Sequence, residues 1–312
     1  MNVFPYDSKI DFMRVRKVAM AIAVLVFVAA IVLIGTRGLN FALDFTGGTV
    51  AELKFQNPAD MEDLRGRLDA AGHPGAMVQT FGSERDVLVR LQGGDGQNNI
   101  TRTGDAILTA LSSAENPATL VRSDFVGPQV GKELAQNGFL AVVFVALAFI
   151  VYISLRFEWK FSVAATATSI FDIVATVGFF ALTQHEFNLS VLAGILSVLG
   201  YSVNDTIVVF DRVRENFRGM QRTETVTVLN RSINETLSRT ILTCLSTLFA
   251  VGALYFFGGE SLRGLAEALL FGIVIGTLDS IFVACPLLMM LGTSKQDLMP
   301  KIRDDSDLAR RP

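Results

Sequence analysis

Six stretches of the chain are apolar for long enough to cross a hydrocarbon layer: Val18 to Gly35, Phe139 to Leu155, Phe161 to Thr183, Leu189 to Phe210, Thr240 to Phe257 and Leu265 to Leu291. A helix needs about 20 predominantly apolar residues for this, so the pattern predicts six transmembrane helices. The runs are unevenly spaced, with residues 36–138 separating the first from the other five.

Inside that gap the pattern shifts to short segments. Val50 to Phe55, Met77 to Phe81, Val87 to Gln92 and Thr119 to Val126 read as strands, the middle two joined by a Gly-Ser-Glu turn. Pro58 to Ala71 has a Pro near its start, acids in its first turn and Gly72 as a stop. Ile100 to Leu111 has helical apolar spacing. The order β-α-β-β-α-β is the split βαβ, ferredoxin-like arrangement. The predicted fold class is therefore an α-helical membrane protein with six transmembrane helices and an α+β domain inserted after the first. The segments are an N-terminus (1–17), a first span (18–35), the α+β domain (36–138), a five-helix bundle (139–291) and a tail (292–312).

Composition agrees: 51% of residues are hydrophobic and only 18% charged, more apolar and less charged than a typical soluble domain. Charge then orients the spans, because Lys and Arg stay on the cytoplasmic side. With the N-terminus inside, segments 1–17, 156–160, 211–239 and 292–312 hold 17 Lys or Arg, whereas the opposite short loops hold only Arg263. Both termini are then cytoplasmic and the α+β domain periplasmic. A cleaved signal peptide is the rival reading of the first span, since Arg14, Arg16 and Lys17 precede it, but no small-x-small cleavage site follows.

Other classes are disfavoured. The gap region carries 9 basic against 13 acidic residues, which argues against nucleic acid. Cys244 and Cys285 fall in apolar spans, where a thiol acts as a small hydrophobe. His73 sits in a Gly-His-Pro-Gly turn and reads as a solvated loop residue. No catalytic constellation, cofactor motif or metal-ligand spacing stands out, so neither enzyme nor metal chemistry is expected.

Charge inside the spans is the informative feature. A carboxylate near the middle of a membrane helix costs roughly 2.5–3.5 kcal/mol on insertion scales, and its default reading is functional. Asp205 lies in the fourth run, on a face shared with Gly194, Ser197, Tyr201 and Val208, with Asn204 at its edge. Such small and polar stripes face other helices, which marks Gly194, Gly200 and Asn204 as helix-packing positions; the plain alternative is an interfacial acid near Asp211. Arg239 stands where the fifth span begins and is the natural partner of Asp205, a fixed positive charge that holds a carboxylate ionised when close and releases it when distant. Its plain alternative is an anchor at a helix end.

Asp172 lies mid-span in the third run with Thr168 and Ala175 on its face, and is a candidate relay member or a structural acid. Asp279 lies mid-span in the sixth, in register with Gly272 and Gly276, and is either a relay member or a hydrogen-bonded structural acid. Glu267 reads as an interfacial charge, and Arg212 and Arg214 as headgroup anchors. Two glycine motifs flank the α+β domain: Asp44-Phe45-Thr46-Gly47-Gly48, and Val126-Gly127-Pro128-Gln129-Val130-Gly131. They read as turns, as hinges that let the domain swing, or as packing positions.

These motifs, with Gly200 to Asn216 (GYSVNDTIVVFDRVREN) and Arg231 to Thr240 (RSINETLSRT), resemble the SecF members of the bacterial SecD/SecF protein-export family. The resemblance covers nearly the whole chain. It implies a multi-pass inner-membrane subunit, related in fold to resistance-nodulation-division transporters. It also implies SecD, the SecYEG translocon, a translocating polypeptide and membrane lipid as partners. Its driving force would be the proton-motive force, with H+ or in some relatives Na+ as the coupling ion. It makes Asp205 and Arg239 the ion-coupling positions and gives Asp172 an alternative place at the SecD interface. Two rival functions remain: a stand-alone small-molecule transporter of the same superfamily, of which six spans would be only half, and a structural subunit that stabilises SecD without conducting ions.

Overall fold

The computed structural model describes residues 10–73, 75–81, 83–91, 100–220 and 223–293. Residues 1–9, the tail beyond 293, Pro74 of the His73 turn, Gly82 of the predicted hairpin turn and Gln92 at a predicted strand end lie outside the described residues. The chain divides into two units: Asn40–Val142 with Glu186–Leu189, and a helical unit made of the rest.

The first unit is an α+β domain. A single turn, α2 (Leu43–Thr46), precedes strand β1 (Gly48–Phe55), helix α3 (Met61–Ala70), strands β2 (Met77–Phe81) and β3 (Ser83–Leu91), helix α4 (Ile100–Leu111) and strand β4 (Ala118–Val126). The sheet is antiparallel throughout in the order β2-β3-β1-β4, which is the split βαβ topology anticipated from the sequence. Alternation sets the core: Ala51, Leu53 and Phe55 of β1 and Val87, Val89 and Leu91 of β3 point to one face. There they meet Leu64 and Leu68 of α3 and Ile107 and Leu111 of α4. Helix α3 starts later than Pro58, because Asp60 accepts from the Glu62 N–H at 2.9 Å and fixes the cap there.

The helical unit contains α1 (Arg16–Arg37), then α5 from Val143 onward (α5 spans Pro128–Arg156), α6 (Trp159–Thr183), α7 (Leu189–Gly219, with Leu189 itself in the first unit), α8 (Thr225–Phe257), α9 (Glu260–Phe282) and α10 (Ala284–Met290). Among the described residues six helices are long and apolar enough to cross a membrane. The expected sixth span, Leu265 to Leu291, is broken at Val283. Pro286 explains the break: it has no N–H to give and its ring crowds the carbonyl of Phe282. Helices α7 and α8 run well past their apolar stretches. A 3-10 turn at Phe12–Val15 precedes α1, with the N–H of Phe12 donating to Asn230 Oδ1 at 2.8 Å and that of Ile10 to Asn234 Oδ1 at 3.0 Å.

Two kinds of packing set the helices. Bulky rings fill one end, where Phe161 meets Phe210 edge-on at 5.4 Å between centroids and Phe157 meets it at 6.2 Å. Small residues allow close approach along α7 and α9: a Cβ added to Gly194 would stand 2.8 Å from Ala268 Cβ, one on Gly272 would collide with Val198, and one on Gly276 would stand 3.2 Å from Ser202 Cβ. The contacts 194/268, 198/272 and 202/276 advance together by four residues, so the two helices run parallel in fixed register.

Candidate functional site

Following that register one step further leads to Asp205. It is 6% exposed and tied to two other helices, with Ser280 of α9 donating to Oδ2 at 2.5 Å and Thr240 of α8 donating to Oδ1 at 2.9 Å. The carboxylate is thus a three-helix junction, with hydroxyl groups replacing the water it would otherwise require.

Arg239 lies within Coulombic range of Asp205 without pairing with it directly. It is exposed and forms no ion pair with Asp205 or with any other acid among the described residues. Successive helix residues point about 100° apart, so once Thr240 faces α7, Arg239 turns away from it. The two residues expected to come close and move apart therefore stand here in Coulombic range but without a direct ion pair.

A second polar node lies beside the first. Asp172 of α6 is fully buried and accepts a hydrogen bond from Ser202 of α7, close to where α7 passes Gly276. Asp279, adjacent in sequence to Ser280, is 2% exposed and within Coulombic range of Asp172. Among the described residues neither of its oxygens has a hydrogen-bond partner, and Asp172 Oδ1 and the hydroxyl of Thr206 are likewise without one. Complete burial inside this chain means that Asp172 cannot be part of an interface with another subunit, which removes that alternative. The two nodes bring Asp172, Asp205 and Asp279 into neighbouring turns of α6, α7 and α9. Hydroxyls both donate and accept, so Ser202, Thr240 and Ser280 can hand a proton on or help surround a small cation. Among the described residues no group of three or more His, Cys, Asp or Glu is arranged to hold a metal.

Of the predicted packing positions, Gly194, Gly272 and Gly276 sit at the α7–α9 crossing. Gly200 has no close neighbour, its nearest being the Phe149 ring at 3.9 Å from an added Cβ. Asn204 is exposed, at the edge of the stripe that buries Asp205. The sequence reading missed Ser202, Thr240 and Ser280. A usable signal was present, since each is a hydroxyl residue inside an apolar run and two of them adjoin residues that had been singled out.

The polar ends of α7 and α8 form a third cluster. Arg212 pairs with Glu235 and with Glu215, both at 2.6 Å, Arg231 pairs with Glu235 at 2.7 Å, and Asn216 donates to Glu235 at 2.7 Å. Arg214 pairs with Glu158 at 3.1 Å. Arg212 and Arg214, expected as headgroup anchors, are thus engaged in ion pairs within the protein. Glu267, read as an interfacial charge, meets His185 at 2.8 Å and Arg263 at 3.5 Å.

In the α+β unit the two glycine motifs come together. Gly47 and Gly48 adopt positive φ of 67° and 118°, a region that favours glycine. A Cβ on Gly47 would stand 2.8 Å from Pro128 Cα, and one on Gly131 would stand 2.9 Å from Gly47 N. Gly127 is looser, its nearest atom being Val130 Cγ2 at 4.0 Å. Backbone-on-backbone contact gives Gly47, Pro128 and Gly131 a packing role. Asp44 is not part of that contact: its Oδ2 accepts from the Leu189 N–H at 3.0 Å.

These stretches match known families. Residues 106–294 match the family model described as the protein export membrane protein SecD/SecF, C-terminal, and residues 32–59 match the SecD/SecF GG motif. The protein translocase subunit SecF of Pseudomonas aeruginosa is 44% identical over 299 residues, covering 95% of this chain and 96% of the relative. The SecF of Escherichia coli O157:H7 is 40% identical over 290 residues, covering 93% of this chain and 90% of the relative. A crystal structure of SecDF, a translocon-associated membrane protein from Thermus thermophilus, superposes with a TM-score of 0.84 at 33% identity over 93% of this chain. The chain spans 40% of the length of that SecDF chain.

Proposed function

The chain belongs to the SecD/SecF family of protein-export membrane proteins, and from that premise we propose that it is an accessory, non-enzymatic subunit of the Sec translocase that works with SecD and draws on a transmembrane ion gradient. Its partners in this reading are SecD, the SecYEG translocon and the exported polypeptide. It sits in the bacterial inner membrane with both termini cytoplasmic and the α+β unit in the periplasm, in keeping with the distribution of Lys and Arg.

The observation that carries the proposal is Asp205. It is a buried carboxylate in the middle of an apolar helix, held by one hydroxyl from each of two other helices. A purely structural role would not call for an ionisable group at such cost. Loading and unloading an ion there changes what Thr240 and Ser280 can donate to, and so changes how α7, α8 and α9 hold together. Arg239, exposed in the present arrangement, is the charge that would approach when the helices shift.

The test uses inner-membrane vesicles carrying the assembled complex and a secretory precursor. Asp205→Asn keeps the shape and hydrogen-bonding capacity but cannot ionise. It should insert, assemble with SecD and support ATP-driven export, while losing the increment produced by an imposed gradient. Each charge moved across 100 mV is worth about 2.3 kcal/mol, so that increment is well within reach of measurement. Imposing H+ and Na+ gradients separately identifies the ion. A full response to both in the Asn variant would overturn the assignment.

A further inference from the structure

Asn234, in the stretch Arg231 to Thr240, is a buried amide with no bond to the acids of the candidate site. It faces the segment that runs into α1. The Ile10 N–H donates to Asn234 Oδ1 at 3.0 Å and Asn234 Nδ2 donates back to Ile10 O at 2.8 Å, so the side chain pairs with backbone as a neighbouring strand would. One turn earlier on α8, Asn230 Oδ1 accepts from the N–H groups of Phe12 at 2.8 Å and Met13 at 3.4 Å. A further bond from Asn234 Nδ2 to Asn230 O, at 2.8 Å, fixes the amide on its own helix.

Irregular backbone inside a protein must find partners for its N–H and C=O groups, and the main chain of α8 is committed to its own helical bonds. Side-chain amides, which carry both donors and an acceptor, take that place. What they hold down is apolar: Phe12 is 9% and Met13 0% exposed. Both belong to one cluster with Ile233 and Leu237 of α8, Ile281 of α9 and Cys285 of α10. Phe12 also lies edge-on to Phe282, the last residue of α9, at 5.7 Å between centroids. Residues 10–13 therefore clip α8 to the broken end of α9. These two helices supply the donors to Asp205. Thr240 lies six residues beyond Asn234 and Ser280 two residues before Phe282, about 9 Å and 3 Å along their helices.

We propose that Asn230 and Asn234 are positioning residues: through residues 10–13 they set α8 against α9, and so hold Thr240 and Ser280 on the two oxygens of Asp205. The inference rests on the ion-coupling role proposed above for Asp205. The two amides differ in a way that a test can use. Asn230 meets the segment only as an acceptor, so Asn230→Asp keeps its bonds. Asn234 both donates and accepts, so Asn234→Asp sets a carboxylate oxygen against Ile10 O.

Hydrogen–deuterium exchange on the full chain, assembled with its partner subunit in membrane vesicles, tests the clip without any gradient. Asn230→Leu should speed exchange at the Phe12 and Met13 amides by about tenfold, as loss of a cap-like acceptor predicts, and Asn230→Asp should restore most of the protection. Unchanged exchange in Asn230→Leu would overturn the clip. Gradient-dependent export in the same vesicles tests the positioning. Asn234→Leu and Asn234→Asp should each lower the gradient increment by about fivefold or more, the lower end of ordinary coupling between sites, with assembly retained, whereas Asn230→Asp should keep it. Asn234→Leu combined with Thr240→Val should fall short of the product of the two single effects, because both act through the same hydroxyl. A full product, or equal export in Asn230→Asp and Asn234→Asp, would overturn the positioning role. A wild-type complex with no response to an imposed gradient would instead overturn the function proposed above, and this role of the amides with it.

Discussion

Ser280 donates to Asp205 Oδ2 at 2.5 Å, joining α9 to α7 one turn beyond the point where Gly276 meets Ser202. Together with the Thr240 bond at 2.9 Å it makes the carboxylate the polar end of an otherwise apolar helix contact. Ser280→Ala and Thr240→Val each remove one donor and leave the other. Bonds to a charged group contribute about 1.5–3 kcal/mol each. Each variant should therefore assemble normally and lose part of the gradient-dependent export, with the double variant close to Asp205→Asn. Wild-type export in the double variant would show that the hydroxyls do not set the carboxylate.

The α7–α9 register makes an ordered prediction about glycines. Gly272→Ala places a methyl group against Val198, and Gly194→Ala places one 2.8 Å from Ala268 Cβ, whereas Gly200→Ala meets nothing nearer than 3.9 Å. Overpacking of this kind costs typically 1–3 kcal/mol. Melting temperatures of the detergent-solubilised chain should fall for Gly194 and Gly272 and hold for Gly200. Val198→Ala should restore part of the loss at Gly272. A uniform response at all three would sink the register.

Gly47 is constrained twice, by a φ of 67° and by Pro128 Cα at 2.8 Å from an added Cβ. Gly47→Ala should destabilise the α+β unit by about 1–3 kcal/mol from backbone strain alone, seen as faster limited proteolysis. Gly127→Ala, with 4.0 Å to its nearest atom, should be near neutral. Equal protease resistance in both would mean that the junction gives way easily, as a hinge does.

Orientation can be checked chemically. Cysteine at Ser83 should react with a membrane-impermeant maleimide added to spheroplasts, and cysteine at Gly219 only after permeabilisation. The two native thiols are buried, Cys244 at 8% and Cys285 at 0% exposure, so background labelling is low. Reaction at Gly219 in intact spheroplasts would overturn the six-span topology.

What the sequence made legible follows from the length scale of each signal. Apolar runs of about 20 residues and alternating strands are local, so among the described residues all six spans and all four strands appear near their predicted places, the sixth span ending early at Phe282. The polar continuations of α7 and α8, where Arg212, Asn216 and Glu235 interlock, do not register in a search for apolar length. The kink after Phe282 required treating Pro286 as a breaker inside an apolar run. At the site, Asp205 was visible as an expensive residue. Its true partners are fixed by which side of α8 turns inward, and that is a tertiary choice between Arg239 and Thr240, neighbours in sequence. The meeting of the two glycine motifs, eighty residues apart, had no local trace.

Asp172, Asp205 and Asp279 are all at most 6% exposed within this one chain. They leave a second subunit almost no surface through which to reach them with side chains of its own. The main route for its influence on their chemistry is then a displacement of whole helices against one another. It follows that substitutions in such a subunit that disturb these acids should be corrected by second changes at helix–helix contacts such as Val198 or Gly272. New polar groups introduced across the subunit boundary should not correct them.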